Sequence, residues 1–179
     1  KKYWWKCPIG DDHVWQTNPD AIGSALSSDF KGIGCPFCAG LKVSKTNRLS
    51  DNYPKIVNQW HPTLNGERAP NEFTSGNDYK AWWKCDVAKD HLWQATISSR
   101  TNGTGCPACD GKQLSATNSL ATLHPHLIEE WHPVKNGADL IHDFAAKSGK
   151  EVWWKCDEAD DHEWKAFIHT RAGGYGCPF

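Results

Sequence analysis

The sequence predicts a small α+β fold, repeated along the chain as metal-stapled modules of one β-hairpin and one short helix. Three observations predict it. A block opening Trp-Trp-Lys-Cys occurs three times, cysteine and histidine fall in register in every copy, and the aliphatic residues are too sparse for one large core. Methionine is absent while tryptophan appears 11 times, a recipe in which a few large rings bury most of the apolar area. Units that small rarely bury enough surface to stand alone, so a staple is expected.

The repeat is read from its spacing. Trp4-Trp5-Lys6-Cys7, Trp82-Trp83-Lys84-Cys85 and Trp153-Trp154-Lys155-Cys156 are each followed by Asp-His-x-Trp, ending at Trp15, Trp93 and Trp164. Each copy then reaches Gly-Cys-Pro, at Cys35, Cys106 and Cys177. Between copies, Asn47-Arg48-Leu49 matches Asn118-Ser119-Leu120, Trp60-His61-Pro62 matches Trp131-His132-Pro133, and Asn65-Gly66 matches Asn136-Gly137. Cys38 to Trp60 and Cys109 to Trp131 are both 22 positions. His13 to Cys35 is 22 positions against 15 for His91 to Cys106, and the extra seven residues are assigned to a loop tip within residues 18–28. The expected modules are residues 1–62, 63–133 and 134–179. The first is expected to lack its N-terminal part, and the third its last cysteine, one residue beyond Phe179.

Within a module, residues 82–85 and 92–98 are expected to pair as strands, with Trp93, Ala95 and Ile97 alternating on one face. Residues 119–131 are expected to form one short helix, because Leu120, Leu123, Leu127, Ile128 and Trp131 recur at helical spacing. His-Pro-x-x-Asn-Gly stops it. In the preceding copy Pro54 is expected to start the helix later. Residues 65–80 and 136–150 read as loop with an extended piece near Phe73 and Phe144.

Zinc favours four tetrahedral Cys and His donors delivered by two short loops. Each complete module offers that set: Cys7, His13, Cys35 and Cys38, then Cys85, His91, Cys106 and Cys109. The third offers Cys156, His162 and Cys177. Three cysteines per full module are poor disulfide arithmetic, and a histidine in register completes a metal set but no bridge. Iron–sulfur clusters prefer all-cysteine ligation. The expectation is one structural Zn2+ per complete module, in an intracellular protein: cytoplasmic or nucleoid, or nuclear or organellar. No signal peptide opens the chain and no apolar run approaches membrane-spanning length, although the abrupt start at Lys1 leaves the compartment open on composition alone.

Other repeated residues carry less. His61 and His132 are read as cations at a helix C-terminus. Asp12, Asp90 and Asp161 precede the ligand histidines, either orienting the imidazole or shaping the turn. One tryptophan of each pair must face away from the other, outward or between modules. Arg100 and Arg171 match at the hairpin ends, with Lys6, Lys84 and Lys155 on the neighbouring strand. Together they would make a basic stripe, or simply a solvated surface. The first copy has Asp29 at the aligned position with Lys31 nearby. A net charge of −1, from 20 basic and 21 acidic residues, argues against a DNA-coating role.

The combined pattern Trp-Trp-x-Cys, Asp-His-x-Trp, Gly-Cys-Pro-x-Cys, Asn-x-Leu and Trp-His-Pro resembles the tandem "probable zinc-ribbon" repeat, a treble-clef-like module. The resemblance covers nearly the whole chain. It implies the Cys and His ligands named above, and the hairpin arginine at Arg100 and Arg171 but not at Asp29. Some members of that family are fused to nuclease domains, which implies a DNA-associated role. No nuclease constellation, phosphate loop or Ser-His-Asp set is present here, and Glu129-Glu130 reads as a solvated helix face. The expected function is therefore a non-enzymatic, zinc-stabilised nucleic-acid-binding array, the recognition part of a larger protein. The alternative is a protein-interaction or spacer array with structural zinc and no nucleic-acid contact. Neither involves a membrane.

Overall fold

The computed structural model describes residues 1–23 and 34–179. Asp29, Lys31 and residues 24–28 of the longer first loop lie outside them. The described residues hold three separate two-stranded antiparallel hairpins. They are β1 (Tyr3–Lys6) with β2 (Val14–Thr17), β3 (Lys80–Lys84) with β4 (Leu92–Thr96), and β5 (Glu151–Lys155) with β6 (Glu163–Phe167). Strand alternation sends the second tryptophan of each pair inward. Trp83 and Trp154 are fully buried, and each indole N–H donates across its hairpin, to Ala95 O at 2.9 Å and Ala166 O at 3.1 Å.

The helices are shorter than the periodicity predicts. After α1 (Pro19–Gly23), residues 49–57 form two turns, α2 (Leu49–Asn52) and α3 (Pro54–Val57). Residues 120–130 likewise split after α4 (Ile97–Thr101) into α5 (Leu120–Leu123) and α6 (Leu127–Glu130). The physical reason is proline. Tyr53 and His124 precede Pro54 and Pro125, and both leave the helical region, at φ −134°, ψ 56° and φ −133°, ψ 64°. The single helix expected over 119–131 is thus two turns that share one apolar face. The strand expected through Ser98 also stops early. Thr96 caps a helical turn, its hydroxyl accepting from Ser99 N at 3.1 Å, so Ile97 and Arg100 enter the core from a helix. The extended pieces expected near Phe73 and Phe144 are present. Each follows a single 3-10 turn, and their carbonyls accept from Leu49 N at 2.8 Å and Leu120 N at 2.7 Å.

The chain divides into two compact units. One is Lys1–Lys84 with Gln94–Thr104, the other Cys85–Trp93 with Gly105–Phe179. In the first, Leu49, Trp60, Phe73, Ala81, Trp83 and Ile97 are buried, with Trp60 edge-on to Trp83 at 5.3 Å and 86°. A second cluster gathers Cys7, Trp15, Cys35 and Phe37. In the other unit one core runs from Leu120, Leu127 and Ile141 to Val152, Trp154, Trp164 and Ile168. That core straddles position 133/134. The Trp-His-Pro segment is why: it bridges to the following hairpin, Trp60 with Trp83 and Trp131 with Trp154. Packing therefore joins each inter-cysteine block to the hairpin after it, whereas the expected boundaries at 62/63 and 133/134 assign that block to the knuckle before it. Asn65 and Asn136 reinforce the junction. Their side-chain carbonyls accept from Trp82 N and Trp153 N, both at 2.8 Å, and their amides donate back to the same residues' carbonyls.

Truncating Trp154 to alanine removes the fully buried indole of its core. Urea denaturation of Trp154→Ala should show a loss of about 3–5 kcal/mol in the unit that contains it. A loss below about 1 kcal/mol would mean this ring does not anchor the core.

Candidate metal centres

Each hairpin tip delivers one cysteine and one histidine, and a following knuckle delivers the rest. The tip closes in the same way every time: Cys7 N, Cys85 N and Cys156 N donate to the carbonyls of His13, His91 and His162. Three groups result, Cys7–His13–Cys35–Cys38, Cys85–His91–Cys106–Cys109 and Cys156–His162–Cys177, with donor atoms in each group within 4.8 Å of one another. The structure thus brings together every residue that the sequence assigns to a metal site.

The separations discriminate between chemistries. Cys7 and Cys38 sulfurs are 3.7 Å apart, and Cys85 and Cys109 sulfurs 3.5 Å. A disulfide needs about 2.05 Å, and all eight cysteines are free. Sulfur to His Nδ1 distances are 3.7 and 3.5 Å in the first group, 3.7 and 3.5 Å in the second, and 3.7 and 3.6 Å in the third. Zinc bonds of about 2.3 Å to sulfur and 2.0–2.1 Å to nitrogen give tetrahedral edges of about 3.5–3.8 Å. The donors fit.

Charge makes the same demand. Three thiols around one point cannot all ionise without a cation between them. Burial, with hydrogen bonds and charge from Cys7 and Cys35, pushes the Cys38 thiol up to about 12. Burial and the neighbouring Cys85 and Cys106 do the same to Cys109, also to about 12. Burial also acts to raise Cys85, but the Val87 N–H, His91 and the other thiols outweigh it and bring that group down to about 7. Full ionisation of the two complete groups therefore needs a bound cation.

The imidazoles are oriented from behind. With Nδ1 turned to the sulfurs, Nε2 carries the hydrogen. His13 Nε2 lies 3.0 Å from Ser44 Oγ and 2.8 Å from Thr46 Oγ1, and His91 Nε2 lies 3.1 Å from Thr117 Oγ1. Asp90 accepts from the Thr117 hydroxyl at 2.7 Å and its N–H at 3.0 Å, while Asp12 accepts from Lys45 N at 2.7 Å. Both readings of these aspartates thus meet in one arrangement, because the carboxylate fixes the loop whose hydroxyl holds the ring. The Thr117 hydroxyl depresses the Asp90 pKa, and the Lys45 N–H that of Asp12. Asn47 and Asn118 tie the same loop to the knuckle, donating to Phe37 O at 2.7 Å and Ala108 O at 2.8 Å. Sequence reasoning missed the threonines. The signal was there, since Ser44-Lys45-Thr46-Asn47 and Ser115-Ala116-Thr117-Asn118 repeat in register.

Three expectations are corrected. Arg100 and Arg171, expected on a basic stripe, are only 6% exposed. Arg100 lies over the Trp83 ring at 5.2 Å and donates to Thr104 O and Gln59 Oε1; Arg171 lies over Trp154 at 5.5 Å and donates to Tyr175 O and Glu130. Planar guanidinium suits burial between a ring and an acceptor pair better than lysine does. Glu130 is accordingly an ion-pair partner, not a solvated face. His61 and His132 are not helix-terminal cations either. Their Nδ1 atoms accept from the next turn, from Leu64 N at 3.1 Å and Lys135 N at 3.0 Å, which requires a lone pair there. The hydrogen then sits on Nε2, which in His132 donates to Glu163 at 3.0 Å. Lys6 and Lys84 do lie exposed, and Lys155 sits half-exposed 3.6 Å from Asp160.

Two outcomes follow. Chelation should unfold the modules, and acid should do so progressively, because falling pH returns protons to thiolates that the ion must displace. Circular dichroism alongside elemental analysis would read both, and a fold indifferent to metal removal would contradict the assignment. Thr117→Val keeps shape but removes the hydroxyl, and should weaken metal binding at one site by about tenfold or more in a chelator competition.

A comparison with curated proteins returns no match. A family described as "Probable Treble clef zinc finger domain" matches residues 1–41, 56–112 and 127–179, and each match contains one Cys/His group. The second and third matches begin ahead of Trp60 and Trp131, as the packing does. With three tandem matches spanning most of its length, this chain belongs to the probable treble clef zinc finger family.

Proposed function

We propose that the chain is a zinc-stabilised array that binds single-stranded nucleic acid on the outer faces of its hairpins. Zinc is the ion best suited to three sulfurs and one nitrogen at tetrahedral spacing. With four protein donors it has no open position, so its role is structural. Among the described residues no catalytic constellation accompanies it, and we read the array as a binding module, not an enzyme.

The observation that carries the nucleic-acid reading is an exposed indole between cations. Trp4 is 70% exposed, and strand alternation places it on the outer face with Lys6 and, just before the strand, Lys2. Gln16 and Val14 stand opposite Trp4 and Lys6, so neither faces a carboxylate across the hairpin. Lys80, Trp82 and Lys84 repeat the pattern on β3. Flat rings that stack on bases, flanked by lysines that meet phosphates, suit single strands without sequence preference. The buried arginines take no part in this surface.

A second reading rests on β5 and β6. There Lys135 pairs with Glu163, Lys165 with Glu151 at 4.0 Å, and Lys155 with Asp160 at 3.6 Å. Trp153 sits under two of these lysines, at 4.4 and 5.3 Å. A face so neutralised favours a protein partner.

One salt series separates the readings. Zinc-loaded chain should bind single-stranded oligonucleotides more tightly than duplex, with affinity falling steeply as salt rises. Trp4→Ala should cost about 1–3 kcal/mol, and Lys6→Ala or Lys84→Ala should each reduce the salt slope by about 0.7. No oligonucleotide binding at low salt by folded, metal-loaded chain would overturn the proposal and favour the protein-partner reading.

A further inference from the structure

We infer that the second metal centre carries a receptor cleft for an aromatic side chain of a partner protein. The inference starts from one position in the knuckle. Cys35-Pro36-Phe37-Cys38 and Cys177-Pro178-Phe179 place phenylalanine after the proline, whereas Cys106-Pro107-Ala108-Cys109 places alanine. In the first and third groups that phenylalanine stacks on the ligand imidazole. Phe37 lies 5.0 Å from His13 at 16°, and Phe179 lies 5.2 Å from His162 at 24°. Phe37 is buried over its imidazole, whereas Phe179 is 71% exposed. At the second centre Ala108 supplies only a methyl group.

A cleft opens beside the second centre, with His91 and Ala108, 4% and 3% exposed, on its floor. It measures about 400 Å³ and is walled by Val87, Ala108, Leu123, Ala145 and Ala146, with Lys147 at its edge. Val87 and Leu123 are 77% and 53% exposed, so two aliphatic side chains stand at its mouth. Gly111, at φ +74°, makes room for Lys147 to cross the knuckle, since a Cβ there would lie 2.5 Å from the Lys147 Cβ. The Lys147 ammonium donates to Cys109 O at 2.7 Å and holds that edge in place.

The chemistry of the lining selects the occupant. Its polar groups already have partners: Asn118 bonds to Ala108 O, Gln113 O and Ser115 N, and Thr117 bonds to Asp90 and His91. A nucleobase would bury edge atoms without partners, at a cost an apolar ring does not carry. Phenyl is what the two sister knuckles carry at the position of Ala108, stacked on the ligand imidazole. Lys147 is exposed, and its remaining ammonium donors suit a carboxylate beside the incoming aromatic residue. The site therefore takes a protein segment with an exposed aromatic residue, preferably next to an acidic one. It is independent of the hairpin face proposed above, and stands whether or not that face binds nucleic acid.

Methyl NMR on the full zinc-loaded chain tests this, with N-acetyl-phenylalaninamide, N-acetyl-serinamide and adenosine monophosphate as probes. The phenylalanine probe should shift the Val87, Ala108 and Leu123 methyl signals saturably, and the serine probe should not. Ala108→Phe should supply the missing ring from within and weaken binding about tenfold, on the scale of one aromatic pair. Should that variant fail to fold, Leu123→Glu, at an exposed position, carries the test and should weaken binding likewise. Absent shifts, shifts unchanged in the folded variants, or a stronger response to the nucleotide would each overturn the inference.

Discussion

Sulfur and imidazole donors converging on one cation is the interaction on which this molecule depends. Each hairpin has only four or five residues per strand, and each helix only one turn. Pieces so short do not persist by their own propensity or hydrogen bonding. Thiol groups at 3.5–3.7 Å with no bridge between them would repel if ionised, and two of them are held protonated up to about 12. A divalent ion turns that repulsion into the staple. In domains this small, metal binding generally supplies much of the folding free energy.

Around each centre the chain spends its polar residues on positioning. Asp90 holds Thr117, Thr117 holds His91, and Asn118 holds the knuckle carbonyl of Ala108. Leu120, two residues after Asn118, opens the turn that enters the next core. The metal centre and the hydrophobic core are consequently joined by a stretch of only a few residues. Tryptophan and arginine do the equivalent work inside. Trp154 meets Trp131 edge-on at 5.5 Å, and Arg171 lies over its ring while reaching Glu130 and a backbone carbonyl. One long cation thereby replaces several aliphatic side chains in a core too small to hold them.

The two tryptophans of each motif are placed differently. In each Trp-Trp-Lys-Cys block the second tryptophan is structural. The first, with its lysine, is left for the surface. The three copies differ on that surface while keeping the interior: among the described residues the lysines flanking Trp4 have no ion pair, whereas lysines paired with carboxylates surround Trp153. Divergence at the knuckle, Phe37 and Phe179 against Ala108, likewise leaves the ligands untouched and changes only what lies beside them.

By itself the sequence determined the repeat, the ligand sets and the fold class, because each is a matter of spacing. Cys-x5-His and Cys-Pro-x-Cys in register state which atoms can meet, whatever the rest of the chain does. Proline marked the helix breaks too, although Pro125 was overridden by the apolar period on either side of it. Only the tertiary structure decided which charges are available. Arg100 and Lys84 look alike in a string of letters, yet one is sealed over Trp83 and the other is solvated. That outcome depends on Ile97 turning from strand to helix and swinging Arg100 inward, a three-dimensional event with no signature in hairpin periodicity. The packing partner of the Trp-His-Pro segment was hidden for the same reason. The Trp-His-Pro segment follows one knuckle in sequence but packs on the next hairpin, and burial of Trp60 and Trp131 against Trp83 and Trp154 is what sends it there.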